Sequence, residues 1–451
     1  MNIFLKKIWW TLLGTSFFLK IQYVLIPNIL GGGLVYNEYL DISVYLFDVS
    51  FLVGLIYILN NENRILSSIQ ELFHVKHNRV LLLAPLAILC ISTLSVYFSL
   101  DRTLSLRQLL ILLEGVVMYY GIIVLFMFHV KQNKKIVSRE TVSHENYLML
   151  FVKGIYGVAI INSLVAIGQF LLQRDLYFYI FGESHLQIGS SNIATIDLFG
   201  HKLLRAYGLF PHPNILAALL LLSLVMLIIF KNDLVPRETK FNSITSVFHV
   251  KQWGVLCLVV ALILTFSKTA LILGGLFYFM SVSRETLKKL SIKKFHVKHL
   301  FFLCFILIFI FSVSQKSFSE REFSLLEYVQ SNTIAIFGNG IGTSYLQQAL
   351  ILQSTKNPWI LQPVHNGYLI ILSEIGVLGL CVYTYLFLQL LLSSSNTVFH
   401  VKQWTGGHFL VFCIVVLALG DHYFFTIPQG VFLFWIFLAL GSIGTLDIDN
   451  N

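Results

Sequence analysis

Polar residues come in bursts along this 451-residue chain, separated by apolar runs of about 15–25 residues. Runs of that length match the roughly 20 residues an α-helix needs to cross a bilayer core. Twelve such runs are read, over residues 8–27, 42–60, 80–99, 107–128, 147–172, 213–230, 253–267, 269–283, 300–315, 366–393, 408–424 and 429–446. The pattern predicts an all-α polytopic membrane protein, a single transmembrane domain over 1–451 with about twelve transmembrane helices. Two polar connections, at about 173–212 and 316–365, stand out by their length.

Composition agrees with the pattern. The chain is 57% hydrophobic and 12% charged, with a mean hydropathy of +0.79. A soluble domain of this size could not hide so much apolar surface. The five cysteines (Cys90, Cys257, Cys304, Cys381 and Cys413) all fall inside apolar runs, and none pairs by spacing. No disulfide framework or metal cluster is expected from them. Lys6 and Lys7 lead into a first run that continues to about Pro27, which does not read as a cleavable signal peptide.

The net charge of +9 could point to nucleic acid, but its distribution points to topology instead. The amino end and the connections 60–79, 129–146, 231–252, 284–299 and 394–407 carry 20 of the 31 Lys and Arg residues. By the positive-inside rule those segments and both termini are cytoplasmic, and the two long loops face outward. The large outward loop then lies between spans 9 and 10. Residues 253–283 are split into a short hairpin at Ser267 and Lys268. Read as one helix they would invert every later loop and place the basic 284–299 segment outside.

Two short words recur eight times. Phe-His-Val-Lys-(His/Gln) occurs at 73–77, 128–132, 248–252, 295–299 and 399–403, and Val-(Ser/Pro)-Arg-Glu-Thr at 137–141, 235–239 and 282–286. The spacing fits no solenoid or propeller period. Metal binding by the His residues or lipid binding by the basic ones is one reading. The genetic code supplies the preferred one. The DNA palindrome GTTTCACGTGAAAC encodes Phe-His-Val-Lys in one frame and Val-Ser-Arg-Glu-Thr in another, and the third frame holds a stop. The words are read as in-frame copies of one DNA element, similar to sites bound by bacterial chromosome-partition proteins, and the codons at the eight sites test this directly. All eight fall in or beside cytoplasmic connections, where insertions are best tolerated. The chemistry is therefore expected on the outward face.

Polar residues on that face cluster at span ends. Arg205-Ala-Tyr-Gly-Leu-Phe-Pro-His212-Pro-Asn214 enters span six, and Thr265-Phe-Ser267-Lys268 forms the turn of the short hairpin. Ser319-Glu-Arg321 opens the large loop, followed by Phe337-Gly-Asn-Gly-Ile-Gly342. His365 and Asn366 close the loop, with Glu374 two turns into the next span and Asp421-His422 at the end of span eleven. Each piece has a plain structural reading. Lys268 can snorkel to the interface, the glycine run can be a turn, and Asp421 with His422 can be a capping pair. Convergence favours chemistry, because an ionisable group costs about 2.5–3.5 kcal/mol at mid-membrane on insertion scales. His365 can exchange a proton near neutral pH. Arg205, Lys268 and Arg321 suit an anionic, membrane-bound substrate carrying a diphosphate.

These motifs resemble the O-antigen ligase/polymerase superfamily. The resemblance rests on Arg205-x-x-Gly-x-x-x-His-Pro-Asn214, Phe266-Ser-Lys268, the Phe337–Gly342 glycine run and His365-Asn-Gly-Tyr-Leu with Glu374-x-Gly376. It covers roughly 200–380, with Asp421-His422 beyond; the amino-terminal half is similar mainly in topology. Lys268 stands where many relatives carry Arg, which keeps the charge and loses the bidentate fork.

The resemblance implies a metal-independent, GT-C-like glycosyltransferase of the cytoplasmic (inner) membrane, without cofactor and active toward the outside. It would work in cell-envelope polysaccharide or lipopolysaccharide biosynthesis, with a glycan on a polyprenyl (undecaprenyl) diphosphate as donor and a glycan or lipid-glycan as acceptor. His365, Arg205 and Arg321 would be catalytic. His212, Asn214, Ser267, Lys268, Asn366, Glu374, Asp421 and His422 would bind substrate. Membrane lipid is an expected partner and nucleic acid is not. A repeat-unit polymerase shares every one of these motifs and stays open. A lipid-linked glycan flippase or other transporter would call for repeated halves and mid-membrane charges, and a structural or sensory membrane protein would make the loop residues incidental.

Overall fold

In a computed structural model the described residues are 22–26, 42–45, 48, 79–136, 147–190, 193–198, 200–230, 244–287, 335–351, 363–392 and 406–445. Helix accounts for 75% of them. In chain order the helices are α1 (Arg79–Tyr97), α2 (Arg102–Ile136), α3 (Tyr147–Leu172), α4 (Pro213–Ile229), α5 (Ile244–Leu264), α6 (Lys268–Leu287), α7 (Ser344–Ile351), α8 (Gly367–Leu392), α9 (Gly406–Gly420), α10 (Tyr423–Thr426) and α11 (Pro428–Thr445). Three stretches are long and apolar enough to cross a membrane, at Arg102–Val124, Leu148–Leu172 and Gly367–Leu392. Shorter apolar helices occur at Leu81–Tyr97, Pro213–Leu227, Trp253–Leu264, Lys268–Tyr278, Gly406–Gly420 and Pro428–Ile443. The apolar run at 300–315 lies outside the described residues.

The all-helical expectation needs one correction. Gln22–Ile26 and Ile42–Tyr45, read as parts of the first two spans, pair as antiparallel strands β1 and β2, with a register shift between Val24 and Ile26. Gln-Tyr-Val-Leu-Ile and Ile-Ser-Val-Tyr are rich in β-branched and aromatic residues, which favour an extended backbone. Hydropathy alone cannot tell such a stretch from helix. A second hairpin, β3 (Thr195–Leu198) with β4 (His201–Leu204), lies inside the 173–212 loop and turns through Gly200 at φ 82°.

The chain divides into two compact units. One comprises Met1–Val158, Ile229–Leu234 and Ser331–Asn451; the other comprises Ala159–Ile228 and Val235–Gln330.

In the first unit α11 is the central helix, buried on every side from Val431 to Ile443. A helix apolar all round has to be enclosed. It packs against α2, α9 and α10, while α8 packs on α1 and α9. Between apolar helices in lipid, close packing rather than water exclusion holds the contact, so small residues matter. Gly115 of α2 is one: a Cβ there would lie 2.3 Å from Cδ1 of the buried Trp435. Asp101 starts α2, its Oδ1 accepting the backbone N–H groups of Thr103 (2.8 Å) and Leu104 (3.1 Å).

In the second unit α5 and α6 are separate helices joined at Thr265-Phe266-Ser267, and Phe266 takes a left-handed φ of 49°. They fold back on each other, since a Cβ on Gly274 of α6 would lie 3.6 Å from Cδ2 of Leu262 in α5.

Candidate functional site

His365 stands two residues before α8. Each residue of the His-Asn-Gly run has a separate task. Asn366 caps the helix: its Oδ1 accepts the backbone N–H groups of Tyr368 (3.0 Å) and Leu369 (3.1 Å). Gly367 lets α9 and α10 approach, because a Cβ would lie 2.5 Å from Cε2 of Phe425 and 3.0 Å from the carbonyl of Ala418. With the helix start fixed on both sides, the His365 ring is delivered to the junction between α9 and α10.

There His365 Nδ1 lies 3.3 Å from Oδ1 of Asp421. The side chain of His365 is 21% exposed and that of Asp421 7%. The same carboxylate oxygen accepts the backbone N–H of His422 (2.8 Å) and lies 3.7 Å from His422 Nε2. His422 Nδ1 is 2.7 Å from the Thr426 hydroxyl, and the two imidazole rings are 5.3 Å apart. An ionised carboxylate only accepts hydrogen bonds, so the pairing places the His365 proton on Nδ1 and leaves the lone pair on Nε2. His365, Asp421 and His422 also offer ligand atoms within 4.8 Å of one another, a set that could hold a cation.

Glu374 and the glycine run meet in a different way. Helix α8 breaks at Gly376 (φ 75°, ψ −171°), and the 335–342 segment lies along the break. Val377 and Leu378 donate to the carbonyls of Ala335 (3.2 Å) and Ile336 (3.3 Å); Asn339 and Gly340 donate to those of Ser373 (2.9 Å) and Glu374 (3.0 Å). The Glu374 carboxylate accepts the backbone N–H groups of Gly342 (2.8 Å) and Ser344 (3.1 Å). A Cβ at Gly376 would sit 2.2 Å from the Ile336 carbonyl, and one at Gly338 2.4 Å from that of Glu374. The glycine run is a strap packed backbone to backbone on a broken helix, and Glu374 is buried as its clasp.

In the second unit two segments far apart in sequence converge. The backbone N–H of Ala206 donates to the carbonyl of Leu264 (3.0 Å). Arg205 Nε donates to the carbonyl of Thr265 (2.7 Å) and Nη2 to Oδ1 of Asn214 (2.8 Å). Two such bonds fix the plane of a guanidinium. His212 opens α4: its carbonyl accepts Ile215 N–H (3.1 Å), and its Nδ1 accepts the Asn214 N–H (3.2 Å), putting the ring proton on Nε2. Ser267 is buried at the α5–α6 junction, its N–H directed to the Thr265 hydroxyl (3.3 Å), and Lys268 begins α6 half-buried.

So the structure brings Arg205, His212, Asn214, Ser267 and Lys268 into one region of the second unit. It joins His365, Asp421 and His422 in the first. Arg321 lies outside the described residues, as do the repeat words at 73–77, 137–141, 235–239, 295–299 and 399–403. The words at 128–132, 248–252 and 282–286 fall within α2, α5 and α6.

Several positioning residues escaped notice in the sequence. Gln169 and Asn162 of α3 hold the turn after Arg205. Gln169 Oε1 accepts the N–H groups of Tyr207 (3.2 Å) and Gly208 (2.8 Å), and Nε2 donates to the Gly208 carbonyl (2.9 Å) and Glu183 Oε1 (2.7 Å). Asn162 Oδ1 accepts Leu209 N–H (2.9 Å). Burial raises the Tyr207 phenol pKa in the same turn. Gln108 of α2 donates to the Phe425 carbonyl (2.7 Å) beneath the His365 cluster. The available signal was an amide inside an apolar run, which has to find a partner.

No protein-family model matches this sequence, and no curated protein matches it.

Proposed function

We propose that this chain is a membrane glycosyltransferase that moves a glycan from a polyprenyl diphosphate carrier to an acceptor hydroxyl, in the manner of an O-antigen ligase. The observation that carries the reading is the His365–Asp421 pair at the start of α8, 3.3 Å apart. A carboxylate that fixes the imidazole tautomer is the arrangement a general base needs. A second observation supports the donor class: the Arg205 guanidinium is oriented by Asn214 and Thr265 close to the head of α6, where Lys268 stands. Oriented cations suit a diphosphate leaving group.

In this reading His365 Nε2 takes the proton of the acceptor hydroxyl. The oxygen forms a bond to the anomeric carbon as the bond from that carbon to the diphosphate oxygen breaks, with inversion. Arg205 and Lys268, with Arg321, take up the charge of the departing polyprenyl diphosphate. The protein acts in the inner membrane, from the side opposite the basic connections. No nucleotide or metal takes part in any step.

The test is transfer by the full-length protein in nanodiscs, supplied with a radiolabelled undecaprenyl-diphosphate glycan and an acceptor glycolipid. One transfer per acceptor supports the ligase, whereas a ladder identifies a repeat-unit polymerase. His365→Ala is expected to abolish transfer while the protein remains inserted and folded; retained activity would remove the base assignment. Movement of the labelled donor across sealed vesicles without transfer would identify a transporter instead.

A further inference from the structure

Immediately after α3 the chain reads Tyr177-Phe178-Tyr179-Ile180-Phe181, and all five side chains are exposed, at 63, 43, 36, 81 and 44%. Five consecutive large apolar or aromatic residues in contact with solvent form a surface that soluble loops avoid. The backbone beneath them is the opposite of a loose loop. Glu183 is buried and accepts the N–H groups of Leu176 (2.7 Å, Oε1) and Phe178 (2.5 Å, Oε2). A 3-10 turn over Tyr179–Phe181 adds bonds from Phe181 to Phe178 (2.9 Å) and from Gly182 to Tyr179 (2.9 Å). Gln173 and Tyr177 hold left-handed φ values of 53° and 66°, which side-chain-bearing residues rarely adopt. The backbone is thus tied down at Phe178 and Phe181 while all five side chains stay outward.

The polar tips follow the same arrangement. The Tyr179 hydroxyl donates to Asp175 Oδ2 (2.5 Å), and that bond pushes its phenol up to about 12, so the ring stays neutral. The Arg174 guanidinium lies 5.7 Å from the centre of the Tyr177 ring. Beside it, Leu171 and Leu172 end the candidate span Leu148–Leu172 and are themselves exposed. Four residues lie between Leu172 and Tyr177, a reach of at most about 18 Å over the five steps even when fully extended. The strip is therefore continuous with the surface of a helix able to cross the bilayer.

We infer that Tyr177–Phe181 is an interfacial anchor that lies in the headgroup region of the bilayer at the end of α3, with Arg174 directed to lipid phosphates. Tyrosine suits that depth because its ring is apolar and its hydroxyl polar. The N–H groups of Phe178 and Phe181 are paired within the segment, and the hydrated headgroup region serves the others. The partner is lipid, and the inference stands apart from the glycosyl-transfer reading. It requires only that α3 crosses the membrane.

Power-saturation electron paramagnetic resonance tests it on the full-length chain with its five cysteines replaced by alanine. A nitroxide is placed at Ile180→Cys, with Lys202→Cys on exposed β4 as the aqueous control. In phosphatidylcholine–phosphatidylglycerol nanodiscs, the ratio of oxygen to Ni-EDDA accessibility is expected to be several-fold higher at Ile180 than at Lys202. Phe181→Cys repeats the measurement if the first variant does not insert. Equal Ni-EDDA accessibility at the two positions would overturn the inference, and so would shielding from both reagents, which marks a protein partner.

Discussion

Nδ1 of His365 and Oδ1 of Asp421 lie 3.3 Å apart across 56 positions of sequence. The contact exists because Asn366 and Gly367 start α8 against α9 and α10, where Asp421 sits. Asp421→Asn retains the shape of the side chain but can turn an N–H toward Nδ1, which moves the ring proton to Nε2 and removes the lone pair. Transfer is expected to fall about 10²–10⁴-fold, the usual share of general base catalysis. The loss should appear in kcat, with KM for the donor and membrane yield unchanged. Loss through KM or yield alone would make Asp421 a structural residue.

The break in α8 gives a paired prediction on stability. Gly376→Ala adds a Cβ 2.2 Å from the Ile336 carbonyl in a left-handed backbone, and neither side can yield without tearing the strap from the helix. The cost is expected to be about 3 kcal/mol or more. Gly121→Ala, in α2 with nothing within 4 Å of the added atom, is expected to stabilise by about 0.5–1 kcal/mol through helix propensity. Thermal unfolding of the detergent-solubilised variants separates them, and a tolerated Gly376→Ala would show that the break is not built on that contact.

Some of this was legible in the sequence. Apolar run length located α3 and α8 to within one residue, because bilayer thickness and helix rise leave little freedom, whereas α2 begins five residues before the run at 107–128 and ends eight after it. The Ser267-Lys268 split was legible from charge counting. The β1–β2 pair was not, since 22–26 and 42–45 are as apolar as a span and differ from one only in β-branched content. Glu374-x-Gly376 reads as an uninterrupted apolar helix with one acid in it. Only the strap at 335–342 explains why that helix breaks and what the acid holds. His365 was visible as an imidazole on the lip of a span, but its partner Asp421 carries no local mark of the pairing. Sequence separation hides such contacts unless a resemblance supplies them.

Gln169 yields a prediction about the turn that follows Arg205. Its amide makes four hydrogen bonds, to Tyr207, Gly208 twice and Glu183, all buried. Gln169→Leu fills similar space and removes all four bonds, leaving Glu183 held by Leu176 and Phe178 alone, so a loss of about 2–4 kcal/mol is expected. Gln169→Glu keeps the two accepted bonds but sets a second buried carboxylate against Glu183 and an acceptor against the Gly208 carbonyl, so at neutral pH it should be at least as destabilising as leucine and should recover as the pH falls. Urea or SDS titration gives the order. If leucine is neutral, the network does not hold the turn.

The His365–Asp421–His422 set makes a prediction about metals that cuts against its own geometry. Two imidazoles and a carboxylate within 4.8 Å are good ligands for Zn²⁺. A bound cation would draw on imidazole lone pairs and on the Asp421 oxygen that fixes the His365 tautomer, so coordination competes with base catalysis. Transfer is therefore expected to survive EDTA at full rate and to be inhibited by added Zn²⁺. The proposed mechanism requires Asp421 and His365, which leaves His422→Ala as the informative variant. With one ligand gone, the zinc concentration for half-inhibition should rise about tenfold or more, since coordination falls steeply when a ligand is removed. Activity abolished by EDTA and restored by Zn²⁺ or Mn²⁺ would reverse the assignment and make the cluster a metal centre.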